Sequence, residues 1–190
     1  MHGTRRRRGN ATIEFTLVGI PLLCVLISTF EMARGMWLYH TLAYAVKEGA
    51  RYAAVRGQNS PNQVPLGGVG VAPAIPICAY IMQQGPGLVP SQVTFTFHSA
   101  TQADISINAQ ECINNQTTAT QTVWPPGGKF LSPQTSGGNT IVDNQAGQVI
   151  SINASFTFQS SILMFWPGVK GAQQFPSFVF PAKASELMQY

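Results

Sequence analysis

The sequence predicts an α+β fold, with a long N-terminal transmembrane helix over about residues 10–56 and then a small domain with an antiparallel β-sheet. Three observations predict it. An apolar run follows a cluster of arginines near the start, its helical periodicity continues for some twenty residues past the last apolar stretch, and the period then changes to two. The expected organisation is a basic leader over 1–9, a membranous half-helix over 10–33, an extramembrane half-helix over 34–57, and an αβ domain over 58–190.

The apolar run comes first. Sixteen residues without charge separate Glu14 from Glu31. About 20 residues of helix, rising roughly 1.5 Å each, cross a hydrocarbon core of about 30 Å. Arg5, Arg6, Arg7 and Arg8 lie just before it, a positive-inside signal that predicts a cytoplasmic N-terminus and an extracytoplasmic remainder. Pro21 removes a backbone donor inside the run, so a kink or a locally opened helix is expected there. Freed carbonyls in lipid need neighbouring helices to satisfy them, which hints at packing against partners.

Beyond Glu31, Gly35, Leu38, Leu42, Val46, Gly49 and Ala53 recur at steps of three and four, with Arg34, Thr41, Lys47, Glu48 and Arg51 largely off that stripe. The helix is expected to run to about Arg56 and stop at Gly57, giving a rod of about 70 Å. Glu31 with Arg34, and Glu48 with Arg51, have i,i+3 spacing and read as solvated or interfacial pairs worth a few tenths of a kcal/mol.

Residues 58–72 carry the Pro, Gly and Asn of a linker or loop, and a short helix is expected over about 74–84. Val93, Phe95 and Phe97 then alternate with Thr94, Thr96 and His98 as a strand with one buried face, with 104–108 as its hairpin partner. The Asn-, Gln- and Thr-rich stretch 114–147 reads as a long loop with a short strand at 140–143. Further strands are expected over 148–159 and 177–187, giving four antiparallel strands against one face of the outer half of the rod. Ile162, Leu163, Met164, Phe165 and Trp166 form a consecutive apolar run, either a buried strand end or an exposed patch for a partner; general burial statistics favour the first.

Composition excludes some functions. The net charge of +4 reflects four of the eleven basic residues at Arg5–Arg8; without them, seven basic residues face seven acidic ones and no nucleic-acid footprint remains. Only 9% of residues are charged, so solubility rests on neutral polar groups, as suits a secreted or surface protein. His2, His40 and His98 are scattered, and no metal-ligand spacing, phosphate loop or serine elbow is present. Neither catalysis nor a cofactor is therefore expected. The sequons at Asn115 and Asn153 carry no weight in so Asn- and Thr-rich a chain. Cys24 lies in the apolar run, leaving Cys78 and Cys112 either to bridge in an oxidising compartment or to stay buried free thiols.

Glu14 is what a plain anchor leaves unexplained, because an acid in an apolar span costs a few kcal/mol unless it is paired or protonated. A cut between Gly9 and Asn10 would place a new α-ammonium a little over one turn from Glu14. The carboxylate could then reach the ammonium of a neighbouring subunit and set the register of packed helices. The segment "GNATIEF" at 9–15, the span holding Pro21, and "KEGARYAAVRG" at 47–57 resemble the TadE-like proteins, minor pilins or pseudopilins of the tight-adherence (Flp) type IV pilus apparatus. The resemblance covers the first 57 residues well and the rest in outline.

It implies a prepilin-peptidase site at Gly9 and Asn10 with Glu14 and Phe15, and a small pilin-like αβ domain outside a bacterial inner membrane, with possible incorporation in a surface pilus. It also implies a prepilin peptidase, other pilins and an inner-membrane assembly platform as partners. The long Gln-, Asn- and Thr-rich loop departs from shorter family members. The alternative expectation is an unprocessed, signal-anchored periplasmic or surface module that binds a glycan or surface polymer.

Overall fold

The computed structural model describes residues 6–57, 60–68, 75–99, 103–114, 124, 134–136, 139–141, 149–160 and 177–189, with side chains of the first helix described from Thr12 onward. The element order is α1 (Arg6–Ala54), α2 (Ile77–Gln84), a 3-10 turn (Pro90–Gln92), β1 (Val93–His98), β2 (Ile105–Asn108), α3 (Ala109–Asn114), β3 (Gln134–Ser136), β4 (Asn139–Ile141), β5 (Val149–Phe158) and β6 (Phe178–Leu187). The chain divides into two compact units, residues 1–37 with 159–177, and residues 38–158 with 178–190.

The first unit holds the apolar part of α1. Helix continues through Pro21 without interruption, so the locally opened helix expected there is not formed. Glu31 and Arg34 pair at 3.0 Å, and Arg34 also donates to the Gln159 carbonyl at 3.1 Å.

The second unit is a four-stranded antiparallel sheet in the order β2-β1-β5-β6. Because side chains alternate across a strand, β1 buries Val93, Phe95 and Phe97, and β5 buries Ile150, Ile152, Ala154, Phe156 and Phe158 on the same face. Leu38, Leu42, Val46 and Ala53 of α1 are buried, as the helical stripe predicts, joined by Ala45, Ala50 and Ala54. These small residues let other elements approach closely: a Cβ added to Gly49 would stand 2.2 Å from Ile81 Cγ1 on α2. Arg51 pairs with Glu48 at 2.9 Å and reaches Glu186 on β6 at 3.5 Å.

Several expectations need correction. α1 ends at Ala54, where Arg56 N–H returns to the Ala53 carbonyl in a turn, rather than at Arg56. Residues 60–68 are not a free linker. Val64 and Leu66 are buried, and the carbonyls of Pro65 and Leu66 accept from Ile77 and Cys78 at the start of α2. Pro and Gly there allow a tight path along the core instead of an excursion into solvent. The expected helix over 74–84 is shorter, Ile77–Gln84, because Pro76 stands at its entry. The unpredicted α3 begins with Asn108 Oδ1 accepting from Gln110 N–H, the local bond that favours a helix start. In the stretch read as a loop with a short strand at 140–143, that strand is met by β4, which pairs with the unpredicted β3, and Trp124 is buried edge-on to Phe97. The remainder of 115–148, and the apolar run 162–166, lie outside the described residues.

Candidate functional site

From Thr12 onward α1 contains an 18-residue stretch of mean hydropathy 2.1, and it is long and apolar enough to cross a membrane. Its large apolar side chains from Ile13 to Phe30 are exposed on every side. Water would penalise so much apolar surface, roughly 25 cal/mol for each Å², whereas lipid removes the penalty. The hydroxyls of this stretch are satisfied by their own helix: Thr16 donates to the Ile13 carbonyl, Ser28 to Cys24 and Thr29 to Val25, all within 2.9 Å. No backbone water is needed for those groups. Leu22, Val25, Leu26, Thr29, Phe30 and Ala33, at helical spacing, line a shallow apolar depression along one face.

Glu14 is exposed and has no ion-pair or hydrogen-bond partner among the described residues, and Phe15 is 77% exposed beside it. Gly9 and Asn10 lie on the same helix, Asn10 one turn before Glu14. Cys24, also in the apolar stretch, is an exposed free thiol.

In the second unit Cys78 and Cys112 are joined in a disulfide with Cα atoms 6.2 Å apart. It ties α2 to α3, alongside Gly68 N–H donating to the Cys112 carbonyl at 2.9 Å. Tyr52 stacks on Tyr80 with ring centroids 3.9 Å apart, lies under the Arg56 guanidinium at 4.1 Å, and donates to the Ile75 carbonyl at 2.8 Å. Burial pushes the Tyr52 phenol above its ordinary range, and the Arg56 charge opposes the shift.

Sequence spacing missed the pairing of His98 with Asp104 across the β1–β2 hairpin, both exposed. Opposed positions near a hairpin end are the signal that could have found it. Among the described residues no three His, Cys, Asp or Glu side chains group as metal ligands would.

The fold and these features define a chain with, among the described residues, one candidate membrane span, and a small, disulfide-bridged α+β unit. The model of the TadE-like protein family matches residues 9–51, so this part of the chain is similar to that family. The match begins at Gly9 and takes in the apolar helix and most of its continuation. The match supports a component associated with a tight-adherence pilus system. No curated protein and no solved structure matches the chain.

Proposed function

We propose that the chain is a minor pilin or pseudopilin of a tight-adherence pilus system, cut by a prepilin peptidase between Gly9 and Asn10. The observation that carries this reading is Glu14, an unpartnered carboxylate on an exposed apolar helix, five positions after the glycine at which the family match starts. Alone in lipid the acid costs a few kcal/mol. Against an ammonium about 4 Å away, at an effective dielectric near 20, it recovers about 4 kcal/mol. Pairing with the Asn10 ammonium of an adjacent subunit therefore offsets the cost and fixes the axial register of the two helices. The apolar depression along Leu22–Ala33 gives the neighbouring helix a face to pack on.

In this reading the arginine cluster stays cytoplasmic and is removed, α1 spans the inner membrane, and the disulfide-bridged unit faces the oxidising periplasm before assembly. The peptidase, other pilins and the inner-membrane platform are its partners, and the chain performs no chemistry of its own. The test is the N-terminal residue of the protein extracted from membranes of cells with the intact system. Mature protein beginning at Asn10 supports the proposal; functional protein that still carries Met1 and its arginines refutes it and leaves a signal-anchored module.

A further inference from the structure

Along α1 no Asp, Glu, Lys or Arg occurs between Arg34 and Lys47; Lys47, Glu48 and Arg51 follow. Along β6, Phe178–Ala182 is uncharged, and Lys183 and Glu186 follow. Three contacts place the two sequences in step. Tyr39 meets Phe180 edge-on at 5.9 Å, Arg51 reaches Glu186 at 3.5 Å, and Gln189 N–H approaches the Ala54 carbonyl at 3.4 Å. The two elements thus run in the same direction, and both change from aromatic to charged as they do so. Phe158 adds a third ring at the aromatic end, 5.6 Å from Phe180.

Phe178 and Val179 are both 57% exposed although adjacent strand residues point to opposite faces. Apolar exposure on both faces marks an end of the unit rather than a side patch, and a planar boundary fits an end better than a lateral protein partner does. From this geometry we infer that the end carrying Tyr39, Phe178 and Val179 seats in the headgroup layer of the bilayer, a second membrane contact that rests on the anchored reading above.

The dimensions agree. The polar layer on each side of the hydrocarbon core is about 5–8 Å thick. Phe178 precedes Phe180 by two strand residues, about 7 Å back toward the apolar end. Tyr and Trp are enriched at that depth because an apolar ring with a polar O–H or N–H suits the boundary, which fits Tyr39, while Phe178 and Val179 supply apolar surface. Val149 and Leu187, paired at the opposite end of the β5–β6 ladder, are exposed to a similar extent but stand beside Glu186 and should remain in water.

The experiment uses the full chain reconstituted at a high lipid-to-protein ratio in phosphatidylethanolamine/phosphatidylglycerol vesicles. A nitroxide is attached to native Cys24, or to Val179→Cys or Leu187→Cys in a Cys24→Ser background, with the Cys78–Cys112 bridge left oxidised. Relative collision rates with oxygen and with a water-soluble nickel chelate report depth. The ratio should be highest at 24, several-fold above the aqueous value at 179, and aqueous at 187.

A buried label at 24 with equal, aqueous labels at 179 and 187 overturns the headgroup contact while leaving the anchor intact. An aqueous label at 24 overturns the anchored reading itself. Shielding at 179 that disappears on further dilution with lipid assigns this end to a second copy of the chain and also overturns the inference.

Discussion

Replacing Gly49 with alanine should destabilise the second unit, although the same change at an ordinary exposed helical position stabilises a protein. The added methyl would stand 2.2 Å from Ile81 Cγ1 and 2.8 Å from its Cδ1, against the roughly 3.5–4.0 Å at which carbon atoms rest. Relief requires a displacement of more than an ångström. Ile81 is fully buried, and α2 is held by Ile77 and Cys78 donating to the Pro65 and Leu66 carbonyls and by the Cys78–Cys112 bridge.

Overpacking of this kind costs about 3 kcal/mol at the upper end of its range, and the helix-propensity gain of alanine over glycine returns about 1 kcal/mol. The net loss is about 2 kcal/mol. Guanidinium unfolding of the detergent-solubilised chain, followed by tryptophan emission including that of buried Trp124, measures it.

Ile81→Ala alone should cost about 2–5 kcal/mol. In the Gly49→Ala background it should cost less, because it deletes both clashing carbons and the new methyl enters part of the space, giving a favourable coupling of at least about 0.5 kcal/mol. A Gly49→Ala protein as stable as the parent, or strict additivity in the cycle, would refute the argument that close approach is what requires glycine here.

Three further outcomes are expected. Cys78→Ser/Cys112→Ser opens a loop with a sequence separation of 34, for which chain entropy predicts a loss of about 3–4 kcal/mol, readable as a lower guanidinium midpoint than that of the oxidised parent. Because burial raises the Tyr52 phenol above its unfolded value, its contribution should be complete below about pH 10 and decline as pH rises through the folded value; Tyr52→Phe should flatten that alkaline decline in unfolding curves while losing about 1 kcal/mol at neutral pH with the Ile75 hydrogen bond. Glu14→Val should leave membrane extraction unchanged and abolish co-purification with partner pilins, a result that unaltered co-purification would contradict.

The parts of the fold that were legible are those in which one periodicity meets one solvent. Gly35, Leu38, Leu42, Val46, Gly49 and Ala53 recur at helical spacing and are all buried. Val93, Phe95 and Phe97 alternate and are buried on one face of β1. Burial within the loops was not legible. Val64 and Leu66 sit among Pro and Gly yet enter the core, and Trp124 fills a place against Phe97 from a stretch whose neutral polar residues show no period. The partner of Arg51 on β6 was equally hidden, since a contact between residues 51 and 186 leaves no trace in sequence spacing. Glu14 was legible as an anomaly because its cost depends only on its apolar neighbours.

The two halves of α1 answer to different constraints, which accounts for the residues at the join. Over Ile13–Phe30 the large side chains are exposed all round, so any rotation about the helix axis is equally acceptable to lipid and only Glu14 and the Leu22–Ala33 depression distinguish one face. From Leu38 onward Ala45, Gly49, Ala50 and Ala53 bury a single narrow stripe, and Gly49 admits Ile81 at a distance no other residue allows. Helix is assigned on both sides of the change. The family match covers residues on both sides of this change and ends at Arg51, two residues past the glycine that fixes the second face.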